Sequence, residues 1–169
     1  PDDSEAVVAS FSDERLRYIV HERNRMLAAT RNTGMRAARG EILAVLDGDD
    51  YFDREKVAQH VAFLTRHPEV SVTYNNRWDL QYSSTNIRNY VRVPATVGLA
   101  DLVVGFPFCP SDMVVRREQA YAVGLFDESF LHFSEDMDFN CRLALAGCQF
   151  AGIDRCLNFR RFHSGRVIR

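Results

Sequence analysis

Residues 42 to 53 read ILAVLDGDDYFD, five apolar residues running straight into Asp47, Gly48, Asp49 and Asp50, with a further carboxylate at Asp53. The apolar run has the length and β-branched content of a buried strand rather than a helix. Its acidic end poses the functional question. Either the carboxylates finish a strand in water, with Asp53 capping the helix that follows, or they hold something positive. Alternation along an extended chain sends Asp47 and Asp49 to one side. Two carboxylates placed so repel unless a cation lies between them, and hard oxygen ligands suit Mg²⁺, Mn²⁺ or Ca²⁺. An EF-hand loop is excluded, because it needs glycine where Phe52 stands and an oxygen ligand where Tyr51 stands. An aspartyl-nucleophile phosphatase fits poorly, since its Asp-x-Asp usually runs on into Gly-Thr or Gly-Val and here Asp50-Tyr51 follows.

Around this stretch the elements alternate. Residues 16–20 (LRYIV) predict a short strand and 26–38 a helix ending near Gly40. Val57, Ala58, Val61 and Leu64 recur at helical spacing, so 54–66 predicts a helix with that face inward, stopped at His67-Pro68. Residues 70–74 (VSVTY) predict a strand, and 75–96, polar and without period, a loop of functional length. A short helix over 96–105, a strand over 112–116 and a brief helix closed by Gly124 come next. A last helix, 136–147, has Met137, Cys141, Ala144, Leu145 and Cys148 on its inward face. Strands and helices in alternation predict an α/β fold with a mainly parallel central sheet. In open sheets of this kind ligands bind beyond the carboxyl ends of the strands, where Asp47, Asp49 and Asp50 stand.

The 169 residues suit one domain spanning 1–169 with a core of its own. A net charge of −2 leaves no basic footprint for nucleic acid, and no segment approaches the roughly 20 apolar residues of a membrane span. Cys109, Cys141, Cys148 and Cys156 form no C-x-x-C pair, so zinc spacing is absent and reduced thiols in the cytoplasm are expected. The start at Pro1 reads as though cut from something longer.

The wider pattern carries a resemblance. Asn24, Arg31-Asn32-Thr33-Gly34, Ala38-Arg39-Gly40-Glu41 and the strand into Asp47-Gly48-Asp49-Asp50 follow in that order. Then come Cys109-Pro110-Ser111-Asp112, Gly124-Leu125-Phe126-Asp127-Glu128, Ser134-Glu135-Asp136 and Arg160-Arg161-Phe162-His163. This ordered set resembles the family 2 glycosyltransferases of the GT-A type. The resemblance implies a GT-A-like three-layer fold, N-terminally incomplete, because the first strand and the nucleobase-binding turn would precede Pro1. It implies an inverting, metal-dependent transfer of sugar from a nucleotide-diphosphate donor, a UDP-sugar above others, to a hydroxyl of a glycan or lipid-linked acceptor, as in cell-surface polysaccharide synthesis. The implied cofactor is Mn²⁺ or Mg²⁺ on Asp49 and Asp47 with His163 as a further ligand. Asp47, Arg31 and Asp49 would meet the nucleotide and diphosphate. Asp136 would be the base, with Glu135 supporting it or taking the role. Ser111 and Asp112 would face the acceptor, whose choice is expected in 75–96 and 106–112. The implied place is cytoplasmic, extending to peripheral attachment at the inner face of the membrane, and no oligomeric state follows. Two rivals are a sugar nucleotidyltransferase and a non-catalytic nucleotide- or carbohydrate-binding module of the same fold. Without the resemblance, Glu135 and Asp136 simply complement the positive end of a helix.

Overall fold

The computed structural model describes residues 3–81, 86–105, 107–131 and 134–162. Its elements in chain order are α1 (Ser4–Ala9), α2 (Met26–Ala37), β1 (Ile42–Ala44), β2 (Tyr51–Phe52), α3 (Lys56–Arg66), β3 (Val70–Gln81), β4 (Ile87–Val91), α4 (Leu99–Val104), β5 (Val114–Arg116), α5 (Arg117–Ala122), α6 (Glu135–Leu145) and β6 (Gln149–Phe162). A short 3-10 turn, Pro110–Asp112, precedes β5.

The sheet runs β1-β5-β3-β6-β2, with β4 against the far half of β3. The expected parallel character holds for β3 and β6, paired from Val70 opposite Gln149 to Gln81 opposite Phe162. The other pairings, β1 with β5, β5 with β3, β4 with β3 and β2 with β6, are antiparallel. The sheet is therefore mixed, and the expectation of a mainly parallel one is corrected among the described residues.

Hydrophobicity misled at β3. The polar stretch expected as a loop continues the strand to Gln81 and returns as β4. Asn75, Asn76, Arg77 and Asp79 are buried there and bonded by side chains rather than by greasy contact. Asn76 Nδ2 donates to Asp154 Oδ1 at 2.9 Å, while its Oδ1 accepts the Val93 amide at 2.9 Å. The expected strand at 16–20 is absent; no described strand lies beside it, and Leu16, Tyr18, Ile19 and Val20 are exposed.

The helices form where expected but face differently. On α3, Lys56, His60 and Leu64 are buried while Val57 and Val61 are exposed. On α6 the buried residues are Glu135, Phe139, Asn140 and Leu143; Met137 and Leu145 face out, and Cys141, Ala144 and Cys148 only flank the core. Phe139 and Leu143 meet Phe126, Phe108, Tyr74 and Leu102 in that core, and each such side chain stabilises by about 1.5–3 kcal/mol. No described helix is long and apolar enough to cross a membrane.

Candidate active site

The site is assembled at the end of β1. Beyond Ala44 the chain runs on to Asp47 and turns, the Asp50 amide donating to the Asp47 carbonyl at 3.0 Å with Gly48 and Asp49 at the corners. Strand alternation stops at that turn, so the argument that put Asp47 and Asp49 on one side does not apply. Asp53 does not cap the helix as expected: the N-cap of α3 is Glu55, with no side-chain cap bond, and Asp53 Oδ1 accepts the Glu55 amide at 2.9 Å in the turn that leads in.

Three groups hold this acid turn. Arg31, on α2, donates through Nη2 and Nε to Asp47 Oδ1 at 2.8 and 3.2 Å, and through Nη1 to Glu135 Oε1 at 2.6 Å. Ser111 Oγ accepts the Asp47 amide at 3.1 Å. From the end of β6, Arg161 Nε donates to the Asp49 carbonyl at 2.5 Å and its amide to Asp50 Oδ1 at 3.2 Å. Arg31 is itself braced: Asn32 exchanges two hydrogen bonds with the backbone of Phe126 (2.8 and 3.0 Å), and the Phe126 ring lies 5.5 Å beneath the guanidinium. Burial disfavours the Arg31 charge, but Asp47 and Glu135 outweigh it and push its pKa up.

The two α6 carboxylates differ. Glu135 is buried and bonded to Arg31. Asp136 is half-buried, and its Oδ1 accepts the adjacent Met137 amide at 2.9 Å. Burial, then the negative charge of Glu135, push its pKa up, with Arg31 pulling the other way. A raised value moves this carboxyl in the direction that favours taking up a proton.

Other expected residues fall elsewhere. Ser111 and Asp112 have no exposed surface. The Asp112 carboxylate receives Arg77 Nη1 (2.7 Å), the Cys109 amide (2.9 Å) and Asn158 Nδ2 (2.8 Å), so it binds the fold together instead of facing an acceptor. His163 and Phe106 lie outside the described residues. Among the described residues no three His, Cys, Asp or Glu side chains gather as a metal cage.

Several residues behind the turn escape a sequence reading. Lys56 is fully buried, with Nζ on Asn75 Oδ1 (2.6 Å) and on the carbonyls of Ser111 (2.8 Å) and Asp112 (3.0 Å). His60, one turn on, bonds Thr73 Oγ1 (2.7 Å) and Asn75 Oδ1 (2.9 Å). Burial brings Lys56 down to about 8 and His60 to about 3. The available signal was the spacing of Lys56, His60 and Leu64, one face of a helix with two polar members.

A groove of about 510 Å³ opens beside the turn, between Leu27, Thr30 and Arg31 of α2 and residues 42–48. That is within the size range of small-molecule sites.

Residues 1–125 match the family model for glycosyl transferase family 2. The chain belongs to glycosyl transferase family 2. It is similar to the succinoglycan biosynthesis protein ExoO of Rhizobium meliloti (strain 1021), 49% identical over 49 residues, which are 29% of this chain and 14% of ExoO. It is also similar to the UDP-Glc:alpha-D-GlcNAc-diphosphoundecaprenol beta-1,3-glucosyltransferase WfgD of Escherichia coli, 29% identical over 75 residues, 44% of this chain and 29% of WfgD. The family 2 chain spans 14–38% of the length of the first such relatives. Among solved structures, residues 1–349 of S. aureus TarS in complex with UDP-GlcNAc superpose with a TM-score of 0.77, at 18% identity, over 98% of this chain and 48% of that one. At that identity the likeness shows the fold, which is the GT-A-like α/β arrangement the resemblance implied.

Proposed function

We propose that this chain carries the catalytic centre of a glycosyltransferase that moves a sugar from a nucleoside diphosphate to an acceptor hydroxyl with inversion. The observation that carries the reading is the Asp47–Arg31–Glu135 bridge. One guanidinium ties the acid turn, where a diphosphate would leave, to the first turn of α6, where a base would act. A UDP-sugar is the favoured donor, supported by the UDP-GlcNAc complex of TarS and the UDP-Glc in the name of WfgD. A glycan or lipid-linked hydroxyl is the favoured acceptor, and the cytoplasm, up to the inner face of the membrane, the favoured place.

In this reading the acceptor hydroxyl gives its proton to Asp136 as its oxygen attacks the anomeric carbon. The bond from that carbon to the diphosphate oxygen breaks, and the nucleoside diphosphate departs with the electron pair from the opposite face. Glu135 keeps Arg31 oriented, and Arg31 with Arg161 keeps the acid turn in one shape. The donor set suits a hard cation: Asp49 and Asp47 offer carboxylate oxygens, and Mg²⁺ or Mn²⁺ is commonly held by one or two carboxylates plus substrate phosphates instead of a full protein cage. When bound, such an ion would neutralise charge on the leaving diphosphate.

The test is release of nucleoside diphosphate from a panel of sugar nucleotides with Mn²⁺ present. Acceptor-dependent release of UDP is the expected result. Pyrophosphate formed from a nucleoside triphosphate and a sugar phosphate would identify a nucleotidyltransferase instead, and binding without turnover in the full-length protein a non-catalytic module.

A further inference from the structure

The acid turn is held directly by Arg31 and Arg161, and through Ser111 by a residue the proposed chemistry does not use. Lys56 occupies the first position of α3, and its side chain is fully buried. An ammonium has three hydrogens to donate and no capacity to accept. Here it has three acceptors, Asn75 Oδ1, the Ser111 carbonyl and the Asp112 carbonyl, and all three are neutral oxygens. The carboxylate of Asp112 is turned away to Arg77, Asn158 and the Cys109 amide.

Ser111 makes the connection. Its carbonyl is held by Lys56 and its hydroxyl holds the Asp47 amide, so two hydrogen bonds separate the buried ammonium from the first residue of the turn. The exit of the turn is held as well, because the Phe52 ring lies 4.6 Å from Lys56 Nζ. Asp47 and Phe52 bracket Gly48–Tyr51, so one side chain reaches the entry of the acidic segment through Ser111 and its exit directly. A side chain needed only to fill space would stabilise more as an aliphatic, since burying a charge is costly.

We infer that Lys56 is a positioning residue for the acid turn, setting the geometry in which Asp47 and Asp49 meet a diphosphate, with Ser111 as the link. The inference rests on the proposed reading of that turn. It says that Lys56 acts on donor binding through Ser111 and the turn, with no contact of its own to the donor.

The experiment measures UDP binding with MnCl₂ by calorimetry for the full-length protein and for Lys56→Met, Ser111→Ala and the double variant, each checked for a cooperative melt. Either single change is expected to weaken UDP at least tenfold, and the double variant to be no weaker than the worse single, as for two groups acting through one link. Amide exchange at Asp47 should quicken in both singles. UDP affinity unchanged within twofold in a folded Lys56→Met protein, or additive losses in the double variant, would overturn the inference. Should Lys56→Met not fold, the uniformly ¹⁵N-labelled wild-type protein decides. On adding UDP and diamagnetic MgCl₂, the Lys56 ammonium and the Asp47 amide signals should shift together, and a shift at Asp47 with Lys56 silent sinks the idea. Failure of the wild-type protein to bind UDP or any other nucleoside diphosphate would instead overturn the reading of the site itself.

Discussion

At Arg31 a single guanidinium donates to Asp47 on one side and to Glu135 on the other, and Asp136 stands next to Glu135 with its own pKa raised. Glu135 pushes the pKa of Asp136 up beyond what burial does alone. The folded value lies above the ordinary one, so whatever stability this group contributes is present at low pH and lost as pH rises through the raised value. Asn removes that pH-dependent loss and can still accept the Met137 amide. Asp136→Asn should abolish transfer, keep UDP binding within about twofold, and gain stability relative to wild type as pH rises through the raised value. In the wild-type protein kcat should fall on the acid side with a midpoint above the ordinary carboxylate value of about 4. An acid limb at or below that value, or near-normal turnover in the Asn variant, would remove Asp136 from the role of base.

Among the elements, those that obey hydrophobic period were legible before the structure and those built on buried polar groups were not. The strand into Asp47 and the helices beginning near residues 26, 56 and 135 all follow from spacing. The inward face of α3 does not, because Lys56 and His60 occupy it through hydrogen bonds that no pattern of apolar residues announces. The second half of β3 was hidden for the same reason. Its strand-long partner β6 went unread, although it delivers Arg161 to the turn. Of the expected site, the Asp47, Arg31, Glu135 and Asp136 group is brought together, whereas Ser111 and Asp112 are placed behind it. On β6 a tight crossing gives a test at this scale. The Gly152 amide donates to the Ala95 carbonyl at 2.7 Å, and a Cβ built there would stand 2.2 Å from the Pro94 carbonyl oxygen and 3.0 Å from the Tyr74 ring. Backbone cannot yield as a flexible side chain can, so Gly152→Ala should cost about 1–3 kcal/mol in a urea melt. A loss below about 0.5 kcal/mol, at the level of ordinary surface changes, would show that the 92–97 segment moves aside freely.

For the molecule as a whole, the fold depends on keeping His60 neutral. It has no exposed surface, and both ring nitrogens are used, by Thr73 Oγ1 and Asn75 Oδ1. Burial, reinforced by the positive charge of Lys56, lowers its pKa from 6.5 to about 3. A folded value below the unfolded one means the contribution is fully present above pH 6.5 and drains away as pH falls toward 3, because the unfolded chain takes up the proton that the folded chain refuses. Between pH 6.5 and 5 the carboxylates held low by hydrogen bonds, such as Asp154 and Glu128, are still ionised in the folded chain. In that window unfolding free energy should drop with a slope of up to about 1.4 kcal/mol per pH unit from this one group. His60→Gln keeps a donor and an acceptor but cannot titrate, so its urea midpoint should start lower at pH 7 and fall less steeply. The two curves should then converge toward pH 5. Parallel curves across the window would mean that His60 takes its proton in the folded state, and that the network linking α3 to β3 behind the acid turn tolerates a second positive charge beside Lys56.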